Sequence, residues 1–315
     1  MHKYIIKRLL YLIPILIGVT FIVFAIMHFS PGDPATLLLG EDTTQAEIER
    51  VRELMGLNDP FIVQYGRFLW GAVRGNLGNS LSSGLPVSQE IGARLPATML
   101  LAFGSIIVAL VIGLVMGILA ATKQYSIFDG GSMFFALLGA AMPNFWLGLM
   151  MILFFSVYWN NTFGYSLLPS SGYGTFRHLI MPAIVLGTAH AAYITRITRS
   201  SMLEVLRQDY IRTARAKGMS ERKVVYYHAL WNAMIPVITI TGLQFGVLLG
   251  GSVVTETIFS WPGVGRMLVA GIRTQNYPVV QGSILVFAVL FSLVTLGVDI
   301  LYAFIDPRIK AKYKS

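Results

Sequence analysis

The 315-residue chain contains no cysteine and few charged residues. Without cysteine it has no disulfide, no thiol nucleophile and no cysteine-ligated zinc or iron–sulfur centre. Asp, Glu, Lys and Arg make up only 12% of the chain, against about 25% in ordinary soluble domains, whereas 55% of its residues are hydrophobic. This balance indicates an integral membrane protein.

The sequence also lacks the short motifs of several common catalytic sites. It has no G-x-x-x-x-G-K-[ST] phosphate loop, no H-E-x-x-H zinc pair and no G-x-S-x-G nucleophile motif, and its five histidines are scattered. The net charge is +9, and the basic residues flank the apolar runs instead of forming one patch interleaved with aromatic residues. We therefore predict no catalytic residue, no metal site and no nucleic-acid partner.

Six apolar stretches are long enough to cross a bilayer. A helix needs about 20 mostly apolar residues to cross about 30 Å of hydrocarbon. The third stretch contains Pro143 and fits either one kinked helix or two passes. The predicted crossings lie at 9–29, 97–122, within 130–176, and at 178–195, 235–255 and 282–305.

The distribution of Lys and Arg decides between six and seven crossings, because these residues favour the cytoplasmic side of short loops. Six crossings place the N-terminus, Lys123, the insert at 196–232 and the C-terminal tail together, with 16 of the 24 basic residues. A seventh would put the eight basic residues of the insert outside. The sequence therefore predicts an all-α membrane protein with six transmembrane helices and cytoplasmic N- and C-termini.

A helical outer segment is predicted after the first crossing. Thr44 and Glu47 have the spacing of a capping box before a helix that stops at Gly56. Apolar residues recur at helical spacing from 61 to 73 and predict a second, amphipathic helix. We divide the chain into a tail and first span (1–29), an extracytoplasmic segment (30–96) and a five-helix core (97–315) that contains a cytoplasmic loop at 196–234.

Few ionisable residues lie inside the predicted spans. A charge there costs at least about 2.5 to 3.5 kcal/mol, so a stand-alone secondary carrier or channel usually shows several. Asp299 lies near the end of its span, and His190 fits ordinary helix packing. Gln244 is the best polar candidate for lining a pathway, although a packing role is the simpler interpretation.

A glycine stripe predicts a close helix contact in the fifth span. Glycines at four-residue spacing leave a flat surface that another helix backbone can approach. The sequence leaves open whether that helix belongs to this chain or to another. The stripe consists of Gly242, Gly246 and Gly250.

The insert at 196–232 predicts a helix, a tight turn and a second helix. Residues 202–217 favour a helix, Gly218 suits its C-terminal cap, and Glu221 suits the first turn of a helix starting near Ser220. A short rigid helix can transmit motion from a bound partner. The basic residues could equally rest on anionic lipid. Both interpretations remain open on physical grounds.

TARAKG followed by NAMIP resembles the cytoplasmic "EAA" loop of permease subunits in binding-protein-dependent ABC importers. That loop reads Glu-Ala-Ala, three residues, Gly, nine residues, then Ile-x-Leu-Pro. Ala214, Gly218 and Leu230 match it. The positions that depart from it are Arg212, Thr213, His228 and Trp231.

The residues at these departing positions resemble those of the dipeptide, oligopeptide and nickel branch of the family. The first permease subunit of that branch reads DYIRTARAKG in this part of the loop. Further segments resemble the same branch in order along nearly the whole chain. They are PGDP at 31–34, TETIFSWPGVGR at 255–266, NYPVVQG at 276–282 and VDILYAFIDPRI at 298–309.

The resemblance implies a type I ABC importer permease fold in a bacterial or archaeal cytoplasmic membrane. It implies a second homologous permease, two ATPase subunits that bind ATP and Mg²⁺, an extracytoplasmic substrate-binding protein and surrounding lipid, with no cofactor in this chain. The implied cargo is a di- or oligopeptide, and nickel chelates and glutathione are alternatives.

The resemblance also assigns roles to particular residues. Trp261, Pro262 and Arg266 belong to an outer re-entrant loop or turn that is a candidate docking face for the binding protein. A coupling helix is expected to contact the ATPase through Asp209, Tyr210, Arg212, Thr213, Ala214, Arg215, Lys217 and Gly218.

Overall fold

The computed structural model describes residues 2–30, 32–39 and 43–305, which are mostly α-helical. Pro31 of the PGDP motif and the basic tail at 306–315 lie outside the described residues. The first five helices are His2–Phe29 (α1), Pro34–Leu39 (α2), Gln45–Met55 (α3), Phe61–Val73 (α4) and Val87–Thr122 (α5).

The middle of the chain contains a broken helix and one long helix. A π-helical turn at Leu153–Tyr158 joins the last two pieces of the broken helix. The elements are Ile127–Ala141 (α6), Asn144–Ile152 (α7), Trp159–Phe163 (α8) and Phe176–Leu206 (α9).

The last third of the chain alternates short and long helices. A second π-helical turn, at Val224–Ala229, precedes the long helix that forms the fifth predicted span. The elements are Asp209–Ala216 (α10), Glu221–Lys223 (α11), Leu230–Gly251 (α12), Val253–Ile258 (α13), Val264–Arg273 (α14) and Tyr277–Ile305 (α15).

Five helical stretches in the described part of the chain are long and apolar enough to cross a membrane, and a sixth is bent. The bent one joins α6 to the helix of α7 and α8 at an angle of 95°. The break lies at Met142 and Pro143, because the residue before a proline avoids the α region, and both residues have extended ψ values near 130°. Counted as one broken span, this pair gives the six crossings predicted from the sequence.

The long helices extend further than their apolar runs predicted. α5 begins at Val87 and contains Pro96 within its length, and α9 continues to Leu206 through Arg196 and Arg199. Hydropathy marks only the part of a helix that suits hydrocarbon. Arg is a good helix former, so the helix itself continues past the apolar layer.

The outer segment follows the prediction closely. α3 ends at Gly56, which has a φ of +66°, and α4 has the predicted limits. The capping box forms differently from the prediction, because the hydroxyl of Thr44 donates to the carboxylate of Glu47 at 2.9 Å and makes no bond to a backbone amide. The Tyr65 hydroxyl of α4 contacts the Ile17 carbonyl of α1 at 2.9 Å, so α4 lies against the middle of the first span.

Asn276 attaches the outer segment to the core. Its side-chain amide donates to Ser80 at 2.9 Å and Ser82 at 3.1 Å, and its oxygen accepts from the Leu81 amide at 3.1 Å. The residue is 1% exposed. The NYPVVQG segment therefore has a structural role, since its asparagine holds a distant loop beside the start of α15.

Glycines allow the long helices to approach closely. A Cβ added at Gly242 would overlap Val298 of α15, and one at Gly246 would lie 3.1 Å from Phe291. The partner of this part of the stripe is thus a helix of the same chain. Among the described residues, no atom lies within 4 Å of a Cβ added at Gly250, so that position faces open space.

We predict that Gly242→Ala destabilises the subunit and that Gly250→Ala does not. The added methyl at 242 has no room beside α15, and overpacking typically costs about 1 to 3 kcal/mol. Thermal unfolding of the purified subunit in detergent should show a lower midpoint for Gly242→Ala alone. Equal midpoints for the two variants would contradict the assigned contact.

Candidate functional site

The insert between α9 and α12 contains a short separate helix. The sequence predicted one helix over 202–217, and this prediction is wrong, because α9 ends at Leu206 and α10 begins at Asp209. Gln208 is extended, with a ψ of 151°, and its carbonyl accepts the Ile211 amide at 3.1 Å. Helix propensity alone missed this break, since the chain turns here to bury one face of α10.

The buried face of α10 consists of Ile211, which is fully buried, and Ala214, which is 8% exposed. They belong to one apolar cluster with Met202 of α9, Val224 of the π-helical turn and Ala121 of α5. A small helix of eight residues is marginal alone and depends on such packing. The position of α10 is therefore tied to both long helices that flank the insert.

The remaining predicted contact residues lie on the exposed face or in the turn. Asp209 and Arg212 are 96% and 74% exposed and face each other loosely at 3.7 Å. Ala214 supports the helix from beneath and is the one member of the predicted set that lies buried. The exposed members are Asp209, Tyr210, Arg212, Thr213, Arg215, Lys217 and Gly218.

Gly218 ends α10 as predicted. Its φ is +79°, in the left-handed region that glycine adopts without strain. Its amide donates to the Arg215 carbonyl at 2.9 Å, and the Met219 amide donates to the Ala214 carbonyl at 3.3 Å. No atom lies within 4 Å of a Cβ added here. The glycine is needed for its backbone conformation and not for space.

An ion pair closes the turn after α10. The guanidinium of Arg215 donates through two nitrogens to the carboxylate of Glu221, at 3.1 and 2.7 Å. Such bidentate pairs fix geometry as well as adding energy. Sequence reasoning missed this pair, although the opposite charges on either side of a predicted glycine turn were a usable signal.

The segment after the turn leads directly into the fifth span. α11, the π-helical turn and α12 follow one another without a break. His228 lies within the π-helical turn, and Trp231 is 79% exposed just beyond it. Two of the four departures from the loop pattern thus lie where the helix changes register.

A second ion pair fixes α9 to the broken span. Two nitrogens of Arg199 donate to the two carboxylate oxygens of Asp129, each at 2.8 Å, and the Tyr125 amide also donates to Asp129 at 3.0 Å. The Asp129 side chain is 9% exposed. Sequence reasoning missed the pair because the two residues are far apart along the chain.

The opposite end of the core contains the predicted outer loop. Trp261 is 1% exposed, and its indole N–H donates to the Ala97 carbonyl at 2.8 Å. Arg266 is exposed and donates to the Ser260 carbonyl at 2.9 Å. Pro262 is partly exposed. Docking of the binding protein on this loop stays a prediction. The exposed side-chain surface of the loop comes from Arg266 and Pro262.

A buried carboxylate organises this loop. Glu256 is fully buried and accepts hydrogen bonds from the hydroxyls of Thr98 and Ser252 and from the Arg266 amide, each at 2.9 Å. The Thr98 hydroxyl in turn accepts the Val264 amide at 2.9 Å. Burial raises the pKa of the Glu256 carboxyl, and these hydrogen bonds act in the opposite direction. Sequence reasoning missed Glu256, although a single acidic residue within the otherwise uncharged segment TETIFSWPG was a signal of a buried carboxylate.

The structure places Gln244, the predicted pathway residue, inside the subunit. It is 8% exposed, and its side chain reaches His190 of α9. A role in the pathway stays a prediction.

Two family models match the chain. The model described as "Binding-protein-dependent transport system inner membrane component" matches residues 113–311. The model described as "Binding-prot-dependent transport system membrane comp, N-term" matches residues 1–102.

Curated relatives match over almost their whole length. The dipeptide transport system permease protein DppB of Alkalihalophilus pseudofirmus is 47% identical over 98% of this chain and all of its own. The oligopeptide transport system permease protein AppB of Bacillus subtilis is 48% identical over 98% and 100%. The glutathione transport system permease protein GsiC of Escherichia coli is 46% identical over 99% and 100%.

A solved structure of the MetNI methionine ABC transporter matches with a TM-score of 0.57. The match covers 69% of this chain and 97% of that chain at 19% identity, so it supports the fold alone. The family models and the curated relatives together identify the class of protein as a transporter permease. The chain belongs to the family of inner membrane components of binding-protein-dependent transport systems, the permeases of ABC importers.

We predict that Glu256→Ala strongly destabilises the core. It leaves buried hydroxyl and amide donors without their acceptor, and each unsatisfied group costs about 1 to 3 kcal/mol. Thermal unfolding should show a much lower midpoint than for Glu53→Ala, a substitution at an exposed position of α3. The same midpoint for both variants would refute the assigned network.

Proposed function

We propose that this chain pairs with a second, homologous permease to form the pathway of an ATP-driven importer for di- and oligopeptides. A binding protein delivers the cargo from outside, and two separate ATPase subunits bind ATP and Mg²⁺ and perform the hydrolysis. The chain itself then has no catalytic residue. The observation that carries the proposal is α10, a helix with one face buried on α5, α9 and the start of α12 and the other face exposed.

Coupling follows from how α10 is attached. Ile211 and Ala214 link it to the ends of two long helices, and Arg215 and Glu221 link it to the start of α11. A force on its exposed face is passed to those helices, because packed apolar contacts shift as rigid bodies. Closure of the ATPases would thereby rock the permease between its inward-open and outward-open states.

The membrane placement follows from the positive-inside rule. The insert carries eight Lys and Arg residues, which favours the cytoplasm, where the ATPases bind. Both termini are then cytoplasmic, and the loop with Arg266 and the segment at 30–96 lie on the outer side, where α4 packs against the first span. We infer a multi-pass protein of a bacterial or archaeal cytoplasmic membrane, in contact with lipid along its apolar faces.

Peptide is the cargo class that the named relatives share. DppB and AppB are named for dipeptide and oligopeptide transport, and GsiC for glutathione, which is itself a tripeptide. Uptake of a nickel chelate is the alternative within the same family branch. The binding protein selects the cargo, so its affinities for a dipeptide, glutathione and a nickel chelate distinguish these possibilities.

Reconstitution tests the proposed function. Proteoliposomes that contain both permeases and both ATPases should take up a labelled dipeptide only when ATP and the loaded binding protein are present. A stand-alone carrier would instead give ATP-independent uptake with this chain alone, and that result would refute the proposal.

Gly218→Pro tests the coupling role of α10. Proline fixes φ near −65° and has no N–H, so it fits neither the +79° of Gly218 nor its bond to Arg215. A residue held in an unsuitable φ/ψ region costs of order 1 to 3 kcal/mol, which is comparable with the 1.4 kcal/mol that corresponds to tenfold. We expect binding-protein-stimulated ATP hydrolysis and uptake to fall by about tenfold.

Gly218→Asn is the matched control, because asparagine tolerates the left-handed conformation. It should keep most of the uptake. Normal stimulation and uptake with Gly218→Pro in an assembled complex would contradict the coupling role.

A further inference from the structure

A half-open cavity of about 460 Å³ lies between the segment at 30–96, α1 and α15, and it has no role in the coupling described above. Its walls come from the end of α1, from α3 and α4, from the loop at 76–81 and from the start of α15. The residues that give it chemical character are Phe24, Asp33, Arg52, Arg67, Phe68 and Tyr277.

The polar wall carries both signs of charge. Arg52 lies 3.1 Å from the Asp33 carboxylate, without the alignment of a hydrogen bond. Arg67 donates to Asp59 at 2.5 Å through one terminal nitrogen. Arg52 also lies 3.7 Å from the Glu49 carboxylate. A guanidinium has five N–H donors, so either arginine can bind a further carboxylate while keeping its present partners.

The Asp33 carboxylate accepts the Ala35 amide at 3.1 Å and the Thr36 hydroxyl at 3.2 Å. A carboxylate has about four acceptor sites, so Asp33 can still accept from a ligand cation beside Arg52.

The opposite wall is aromatic. The rings of Phe24 and Phe68 lie 6.0 Å apart, and His28 stacks on Phe24 at 6.3 Å. Tyr277 closes the cavity from α15, and its hydroxyl donates to the Gly32 carbonyl at 3.2 Å. Such a wall favours an apolar or aromatic side chain.

We propose that this cavity binds a small zwitterionic solute with an apolar side chain, of the size of a di- or tripeptide. The ligand carboxylate pairs with Arg52 and Arg67, its ammonium group with Asp33, and its side chain packs on Phe24 and Phe68. The choice of a peptide rests on the proposed function. The cavity would hold cargo after release from the binding protein and before it enters the pathway.

The dimensions favour a small molecule over a loop of a partner protein. Small-molecule sites are concave and of about 300 to 1,000 Å³, and this cavity falls in that range. A stable protein interface needs about 800 Å² from each partner, spread over a broad surface. Convergent charges beside an apolar wall are the usual composition of a small-ligand site.

Photo-crosslinking tests the proposal in the complete importer complex, held in lipid nanodiscs without binding protein. The probe is alanyl-p-benzoylphenylalanine, a dipeptide with a photoreactive side chain. We expect crosslinks on the aromatic wall, at Phe24, Phe68 or Tyr277, and competition by unlabelled alanylphenylalanine. Crosslinks confined to other parts of the complex would overturn the proposal.

Arg67→Gln should weaken the crosslink by about tenfold, the loss expected for one charge-assisted hydrogen bond. The matched control is Arg74→Gln, at the end of the same helix, where the guanidinium lies over the Trp70 ring at 4.4 Å and outside the cavity lining. It should leave the crosslink unchanged. Equal effects of the two variants would overturn the proposed pairing of the ligand carboxylate with Arg67.

A C-amidated probe separates charge recognition from simple apolar binding. It lacks the carboxylate, so the wild-type protein should crosslink it as weakly as Arg67→Gln crosslinks the acid. Undiminished crosslinking of the amide, or labelling of the same residues by a photoreactive phospholipid that the dipeptide cannot displace, would overturn the proposal. Dipeptide uptake by wild-type proteoliposomes tests the proposed function separately.

Discussion

The attachment of α10 to the membrane helices is the contact on which the proposed mechanism depends. Two side chains, Ile211 and Ala214, bury this eight-residue helix against residues of α5, α9 and the π-helical turn. A helix so short has little stability of its own, so its position is set by that packing. The exposed face therefore cannot move independently of the long helices. This is the property that a coupling element needs, and it follows from burial on one side rather than from the charges on the other.

Ion pairs extend this rigid unit on both sides. Arg215 and Glu221 tie α10 to the helix that leads into the fifth span, and Asp129 and Arg199 tie α9 to the broken third span. The second pair is nearly buried on its acidic side, so breaking it would leave a poorly solvated carboxylate. The acidic residue that the general loop pattern places at position 212 is replaced here by arginine. Glu221 supplies a carboxylate elsewhere in the same loop. Its ion pair with Arg215 stabilises the turn after α10, and that turn helps to set the shape of the exposed surface of α10.

Much of the architecture could be predicted from the sequence, for reasons that differ between elements. The limits of α4 were predicted correctly, because its apolar residues recur at helical spacing between a proline and a glycine-containing turn. Gly218 was predicted because a helix cap needs a left-handed residue. The break before Asp209 was missed, since residues 202–217 all tolerate a helix and only the burial of Ile211 requires the turn. The pair Asp129–Arg199 and the network around Glu256 were missed because distant segments meet only in the folded chain.

The two ends of the core are held together by different kinds of contact. At the α10 end the contacts are apolar and joined by ion pairs at the edge, an arrangement that can shift as a body. At the other end, Glu256 of α13 accepts hydrogen bonds from α5, from Ser252 and from α14, and Asn276 fixes the loop at 80–82. Directional hydrogen bonds in a buried site tolerate little displacement, because each donor left without an acceptor is costly. In the proposed coupling, the outer end therefore serves best as a fixed frame, and motion that starts at α10 is taken up between the long helices, where glycines such as Gly242 let neighbouring helices approach closely.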